Sequence, residues 1–135
     1  MSFSIEGKTA IVTGGANGVG CAIGRHFADQ GANVMFVDMD EDGLVNELGA
    51  AKDEGNVRYF AGDLREKLTM ANLLSATIDH FDQVDIRVNA CRQVMVTDPL
   101  GVDDDTTETM LQQNLLNSLR LSQLVARRMI KQAAG

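Results

Sequence analysis

The chain has 135 residues, of which 44% are hydrophobic and 23% charged, and its formal net charge is -7. This size and balance indicate one globular domain over residues 1–135 and exclude collagen-like and disordered classes. The acidic charge, without a long run of Lys or Arg, argues against nucleic acid and anionic lipid as partners. No leader pattern and no apolar stretch of about 18 residues occurs, so we expect a cytoplasmic protein without membrane contact.

Short β-branched runs alternate with longer helical patterns along the chain, which is typical of an α/β fold with a parallel sheet. The predicted strands cover residues 9–13, 32–37, 57–61 and 84–89. The predicted helices cover residues 19–30, 41–52, 66–81 and 107–132. Right-handed crossovers place the strands in the order 3-2-1-4, with helices on both faces, which is the first half of a doubly wound, Rossmann-like sheet.

The segment TGGANGVG directly follows the first predicted strand and opens the first predicted helix. Gly14 permits a tight turn, Gly18 lets the backbone approach a diphosphate, and Gly20 allows the helix to pack closely on the sheet. With Asn17 and Val19, these residues form a helix N-terminus whose free N–H groups attract phosphate. Glycines can also serve turns alone, but the order of strand, loop, helix and next strand favours a dinucleotide site.

Asp38 ends the second predicted strand, eighteen residues after Gly20. From this position a carboxylate can accept hydrogen bonds from the ribose hydroxyls of an adenosine, with Met39 beside it. No Arg or Lys occurs in the glycine loop or next to Asp38 to offset repulsion of a 2′-phosphate, so the sequence favours NAD over NADP. The alternative is that Asp38 begins a turn in which Asp40 and Glu41 cap the next helix.

Taken together, these motifs resemble the short-chain dehydrogenase/reductase family, whose glycine loop reads T-G-x-x-x-G-x-G. Asp63 and Leu64 resemble the family's pair that contacts adenine, the acid through the amino group and its neighbour through the ring. Asn89 and Ala90 resemble the start of the N-N-A-G segment that lines the cofactor cleft, and Asn114 matches the helical Asn that supports a proton relay. The resemblance follows the whole chain in order and implies that it is the NAD-binding half of an oxidoreductase.

Two departures from the family pattern occur around the fourth strand. Cys91 and Arg92 stand where N-N-A-G has small residues, and Arg87 stands where the family has an aliphatic residue. Burying an unpaired charge lowers the stability of the fold by roughly several kcal/mol, so we expect Arg87 to be exposed or paired. Replacing it with Leu should raise stability.

The family's catalytic Ser and Tyr-x-x-x-Lys have no counterpart in the sequence. The single Tyr, Tyr59, lies in the third predicted strand, and the residue four positions later is Asp63. The resemblance implies that a full-length relative carries the catalytic segment beyond Gly135 and moves hydride between a secondary alcohol or carbonyl and nicotinamide. We expect this chain alone to bind NAD(H) without turnover. The alternative is a non-catalytic nucleotide-binding or oligomerising module.

The last predicted helix carries more than one apolar stripe, and the fourth strand would form a sheet edge. We therefore expect a homo-oligomer through that helix or that edge, the alternative being a thick core helix. No metal site is expected, because His26 and His80 lack partners at ligand spacing and the acidic run at residues 103–105 is explained by helix capping. We interpret Cys21 and Cys91 as reduced thiols, with packing favoured over reactivity.

Overall fold

The computed structural model describes residues 3–51 and 55–133. Within these ranges one parallel sheet contains four strands: β1 (Thr9–Thr13), β2 (Asn33–Asp38), β3 (Val57–Ala61) and β4 (Ile86–Asn89). The strand order is β3-β2-β1-β4. The predicted α/β class and the predicted order of strands are confirmed.

Helices connect the strands and follow the last one. They are α1 (Gly18–Asp29), α2 (Glu41–Leu48), α3 (Lys67–Phe81), α4 (Asp104–Leu111) and α5 (Asn117–Ala133). A 3-10 turn extends α2 over Gly49–Ala51, and the expected end of this helix at Lys52 lies outside the described residues. A π-helical turn, Gln112–Leu116, joins α4 to α5.

Two apolar cores lie on opposite faces of the sheet, because successive side chains of a strand point to opposite faces. Val12, Val34 and Phe36 pack with residues of α2 in one core. Ile11 and Met35 pack with residues of α3 and α5 in the other. Each fully buried side chain of this size contributes roughly 1.5–3 kcal/mol, so the two cores fix the positions of the strand ends.

The bounds of two strands differ from the prediction for identifiable reasons. Ala32 was expected in the second strand, but its N–H donates to the Phe27 carbonyl at 3.0 Å and so completes the end of α1. Val84 was expected to begin the fourth strand, but its N–H donates to Gln132 Oε1 at 3.0 Å. Gln132 Nε2 in turn donates to the Val84 carbonyl at 2.8 Å. Strand pairing therefore begins at Ile86.

The last helical segment starts earlier than the expected residue 107. The Asp103 carboxylate accepts a hydrogen bond from the Thr106 N–H at 2.7 Å and caps α4. Hydrogen bonding by the Thr106 side chain, and then by its backbone N–H, lowers the pKa of Asp103. The acidic run is therefore used as a helix cap, as we interpreted it. Across residues 3–51 and 55–133, no helix is both long enough and apolar enough to cross a membrane.

Candidate functional site

The glycine loop turns sharply between β1 and α1. Gly14 has a φ of 71°, and a Cβ added there would lie 2.7 Å from the Ala90 carbonyl oxygen. The Gly15 N–H donates to the Val37 carbonyl at 2.9 Å and ties the loop to β2. Only glycine tolerates this backbone conformation and this close approach without strain.

The two later glycines of the loop have different surroundings. A Cβ added to Gly20 would overlap the Gly14 carbonyl, so Gly20 allows the start of α1 to pack on the end of β1. A Cβ added to Gly18 would meet nothing within 4 Å. The backbone at Gly18 is therefore open to an approaching group, as a diphosphate-binding loop requires.

The start of α1 opens into a groove. The Asn17 side chain makes no capping hydrogen bond there, and Val19 is 70% exposed. The groove has a volume of about 720 Å³ and is lined on its other side by Ala90 and Arg92. The N–H groups at a helix start lack partners within the helix, so this end of the groove offers hydrogen-bond donors and a positive dipole.

Asp38 lies at the end of β2 and lines the same groove. Its Oδ2 accepts from the Ala16 N–H at 3.1 Å, and its Oδ1 accepts from the Asp40 N–H at 3.1 Å. An ionised carboxylate has about four acceptor positions, so some remain for a ligand. The cap of α2 is Asp40, whose Oδ1 accepts from the Gly43 N–H at 2.9 Å. Asp38 thus begins a turn, as the alternative interpretation held, and it also lines the groove; its contact with a ribose stays a prediction.

A second opening, which we call the inner cleft, lies beside the groove and towards α5. Its cavity volume is about 30 Å³, and its lining includes Asp38, Met39, Leu64, Arg87, Gln113 and Asn117. The cleft lies at the carboxyl ends of the parallel strands, where open α/β sheets bind ligands.

Arg87 is the residue of the inner cleft that departs most from expectation. It lies on β4 opposite Ile11 of β1, its Nε is buried, and no hydrogen-bond partner for that atom occurs in the described part of the chain. Burial lowers the pKa of its guanidinium. The expectation that Arg87 is exposed or paired is wrong, because it is half-buried with an unsatisfied nitrogen. Arg87 also lines the same cleft as Asp38. The two residues lie far apart in the sequence, so the sequence alone could not predict that they share a cleft.

Asp63 is held by an ion pair with Arg65. Arg65 Nη2 lies 2.6 Å from Asp63 Oδ2, and Arg65 Nε donates to Oδ1 at 3.0 Å and to Oδ2 at 2.9 Å. This hydrogen-bonded contact lowers the pKa of Asp63. Gly62 and Leu64 line the inner cleft, whereas the carboxylate between them is bonded to Arg65.

The residues that follow β4 separate the groove from the inner cleft. The Asn89 amide donates to the Ser118 hydroxyl of α5. Cys91 lines both openings, and its pKa is raised by burial and by the charge of Asp38, against a lowering by Arg87. Cys21 of α1 is buried, and burial raises its pKa, so the start of the helix does not activate this thiol.

Asn114 lies in the π-helical turn and binds the segment after β4. Its Oδ1 accepts from the Gln93 N–H at 2.7 Å, and its Nδ2 donates to the Gln93 carbonyl at 2.8 Å. This double hydrogen bond fixes the chain that borders the groove. The role of Asn114 in a proton relay stays a prediction.

The π-helical turn itself was missed by the sequence analysis. It places Gln113 and Asn117, both buried, towards the inner cleft, where Asn117 Nδ2 donates to Gln113 Oε1 at 3.2 Å. The sequence did offer one signal for this turn, since two amide side chains lie four residues apart on an otherwise apolar helix face. Single π-helical turns are rare and often occur at functional sites.

The described residues contain no Tyr followed four positions later by Lys, the acid–base pair of the family. Tyr59 lies in β3 and packs against the core that contains Phe36. His26 and His80 lie on α1 and α3. Among residues 3–51 and 55–133, no group of three or more His, Cys, Asp or Glu side chains is arranged to hold a metal ion.

The fold, the glycine loop and the order of the motifs define a Rossmann-like α/β protein. Residues 8–135 match the family described as short chain dehydrogenase, and the chain belongs to this family. The resemblance seen in the sequence is therefore confirmed.

The relatives are longer than this chain. It is 30% identical over 131 residues to an uncharacterized oxidoreductase of Staphylococcus epidermidis, covering 97% of this chain and 56% of the relative. It is 30% identical over 138 residues to D-threitol dehydrogenase of Mycolicibacterium smegmatis, covering 100% of this chain and 52% of the relative. Among solved structures, 3-ketoacyl-(acyl-carrier-protein) reductase of Brucella melitensis complexed with NADH matches with a TM-score of 0.88 and 25% identity, covering 97% and 54% of the two chains. The chain thus spans about half the length of these relatives.

Proposed function

We propose that this chain binds NAD(H) as the cofactor-binding part of an oxidoreductase. The observation that carries the proposal is the open backbone at Gly18, which faces a groove lined by the start of α1 and by the Asp38 carboxylate. The relative of known structure that is complexed with NADH supports the same ligand class.

The residues of this chain fit the parts of a dinucleotide. The N–H groups of Val19 and Gly20 would hold the diphosphate, and the free acceptor positions of Asp38 would hold ribose hydroxyls. Met39 and Leu64 would contact the base, with Asn89 and Ala90 at the inner wall. When bound, the nicotinamide supplies hydride transfer, and the protein supplies binding and orientation.

NAD is the proposed cofactor rather than NADP. The Asp38 carboxylate would repel a 2′-phosphate at the ribose. No ion pair to Asp38 within 4 Å occurs in the described residues to neutralise it, although Arg87 lines the same cleft. The described residues therefore place no ion-pair partner on Asp38 that would offset this repulsion.

The whole oxidoreductase would move hydride between a secondary alcohol or carbonyl and nicotinamide. This chain would bind cofactor without turnover, since Tyr59 is committed to β3 and no Tyr-x-x-x-Lys sequence occurs. The same observation favours the second candidate, a non-catalytic nucleotide-binding or oligomerising module. The cytoplasmic location stays a prediction from the sequence.

Calorimetric titration with NAD and NADP tests the cofactor proposal. We expect NAD to bind more tightly, and Asp38→Asn to narrow the difference between the two by about tenfold, because it removes the charge beside the ribose. Asp42→Asn, an exposed acid of α2, is the matched control and should leave the ratio unchanged. Binding of neither dinucleotide would end the proposal, and a preference for NADP would overturn the role of Asp38.

We propose that the chain self-associates through an exposed apolar face of its last helical segment. Leu111, Leu115 and Leu119 are 52%, 57% and 51% exposed and lie four residues apart, on one side of the helical segment. β4 is an edge of the sheet and presents unpaired backbone groups. Analytical ultracentrifugation should show a dimer or larger species that Leu115→Lys dissociates; a monomeric wild type would refute this part of the proposal.

A further inference from the structure

The segment that follows β4 crosses the glycine loop at close range. A Cβ added to Gly14 would lie 2.7 Å from the Ala90 carbonyl oxygen and 3.0 Å from the Cα of Cys91. No side chain therefore fits between the loop and this segment, and the two backbones are in direct contact. Arg92, the next residue, lines the groove into which the loop opens, on the side opposite the start of α1.

Hydrogen bonds on both sides of Arg92 hold this segment in place. Before it, the Asn89 amide donates to the Ser118 hydroxyl of α5. After it, the N–H and the carbonyl of Gln93 both bond to the Asn114 side chain, at 2.7 Å and 2.8 Å. The backbone that carries Arg92 is therefore fixed before a ligand arrives, which reduces the entropy lost when the side chain binds one.

Arg92 brings a positive charge to the groove. Two charged side chains belong to the lining, and the other one is Asp38. The Arg92 side chain is exposed, and no carboxylate of residues 3–51 and 55–133 forms an ion pair with it. The N–H donors of its guanidinium are therefore open to an anionic ligand.

The charge of the whole chain makes such a local cation important. A dinucleotide carries a negative charge on each phosphate, and the formal net charge of the chain is -7, so the overall field repels the ligand. The start of α1 opposes this repulsion with a dipole equivalent to roughly half a positive charge. A guanidinium adds a full charge and can bind two phosphate oxygens at once.

We propose that Arg92 is a binding residue for the diphosphate, which the groove holds between this guanidinium and the start of α1. The volume of the groove, about 720 Å³, leaves room for that part of a dinucleotide. The inference rests on the proposed dinucleotide site. It adds a charged contact at a position where the N-N-A-G segment has a small residue.

Calorimetric titration of the wild type and of Arg92→Gln with NAD, ADP-ribose and NADP tests the inference. We expect the substitution to weaken all three ligands by the same factor, about fivefold, because all three contain the diphosphate. Arg92→Lys keeps the charge and should bind all three more tightly than Arg92→Gln does. Added salt should weaken NAD binding more steeply in the wild type than in Arg92→Gln, since ions screen an exposed charge.

Arg127→Gln is the matched control, because it removes an exposed cation of α5 outside the groove and changes the net charge by the same amount. It should bind NAD as the wild type does, and equal weakening by both variants would overturn the inference in favour of net charge alone.

The other outcomes separate this inference from the dinucleotide site itself. An unchanged affinity of Arg92→Gln would overturn the inference and leave the site standing. A loss confined to NADP would overturn it by placing the guanidinium at the 2′-phosphate, and a loss that spares ADP-ribose would overturn it by placing the guanidinium at the nicotinamide. Binding of none of the three ligands by the wild type would remove both proposals.

Discussion

The two neighbouring strands β1 and β4 differ in how deeply their residues are buried. Every residue of β1 is buried, whereas the residues of β4 are half-buried or exposed. Ile11 and Arg87 lie opposite each other in register. β1 has a strand on each side and helices on each face, while β4 has a strand on one side only. Burial in a parallel sheet is therefore decided by position as much as by residue type.

The largest expected change in stability comes from a substitution in the buried strand β1. Ile11→Ala should lower the free energy of unfolding by about 2–5 kcal/mol, because it leaves a cavity among residues that cannot close around it. Denaturation in guanidinium chloride, followed by circular dichroism, measures the change. Ile130→Ala, at a side chain of α5 that is 70% exposed, is the matched control and should change little.

The second effect concerns the junction of β1 and α1. Gly20→Ala should cost about 1–3 kcal/mol, because its Cβ overlaps the Gly14 carbonyl and forces the start of the helix away from the strand. The same displacement should weaken NAD binding, as measured by calorimetry. Gly55→Ala adds a Cβ that meets nothing within 4 Å, and this variant should match the wild type in both measurements.

On β4 the expected change has the opposite sign. Arg87→Leu should raise the free energy of unfolding by roughly 1–2 kcal/mol, because it removes a desolvated cation and an unsatisfied Nε. Thermal unfolding measures the increase. An unchanged or lower melting temperature would show that the guanidinium is compensated in the folded chain.

The smallest effect is a pH dependence at the end of β3. The contact with Arg65 lowers the pKa of Asp63 in the folded chain, so its contribution to stability is present above the ordinary Asp pKa of about 4. This contribution is lost as the pH falls through the lowered folded value. Arg65→Ala should therefore be less stable than the wild type at neutral pH, and the two melting temperatures should converge in acid. A difference that persists in strong acid would contradict the ion pair as its source.

The parts of the fold that follow from local pattern could be predicted from the sequence. The glycine loop falls between a strand and a helix, so its turn at Gly14 and its close approach at Gly20 follow from residue type and order. The strand order follows from the handedness of the crossovers. These features depend on contacts between residues close in sequence or on general rules of chain connection.

The parts that depend on distant contacts could not be predicted. Val84 has the composition of a strand residue, but a side chain from the other end of the chain, Gln132, takes both of its backbone groups. The position of Arg87 in a cleft with Asp38, and the ion pair that holds Asp63, appear only when the strand ends are brought together. A motif in sequence identifies which residues meet at a site and leaves open which of their atoms are free.

The hydrogen bonds between Gln132 and Val84 tie the last helical turn to the segment that precedes β4. One amide of the last helical turn replaces two partners that a sheet would otherwise supply, across 48 positions of sequence. Any shortened version that stops before Gln132 would leave both polar groups of Val84 unsatisfied next to the core of Leu121 and Val125. A version of the chain that ends before Gln132 should therefore unfold at a lower temperature than the full chain.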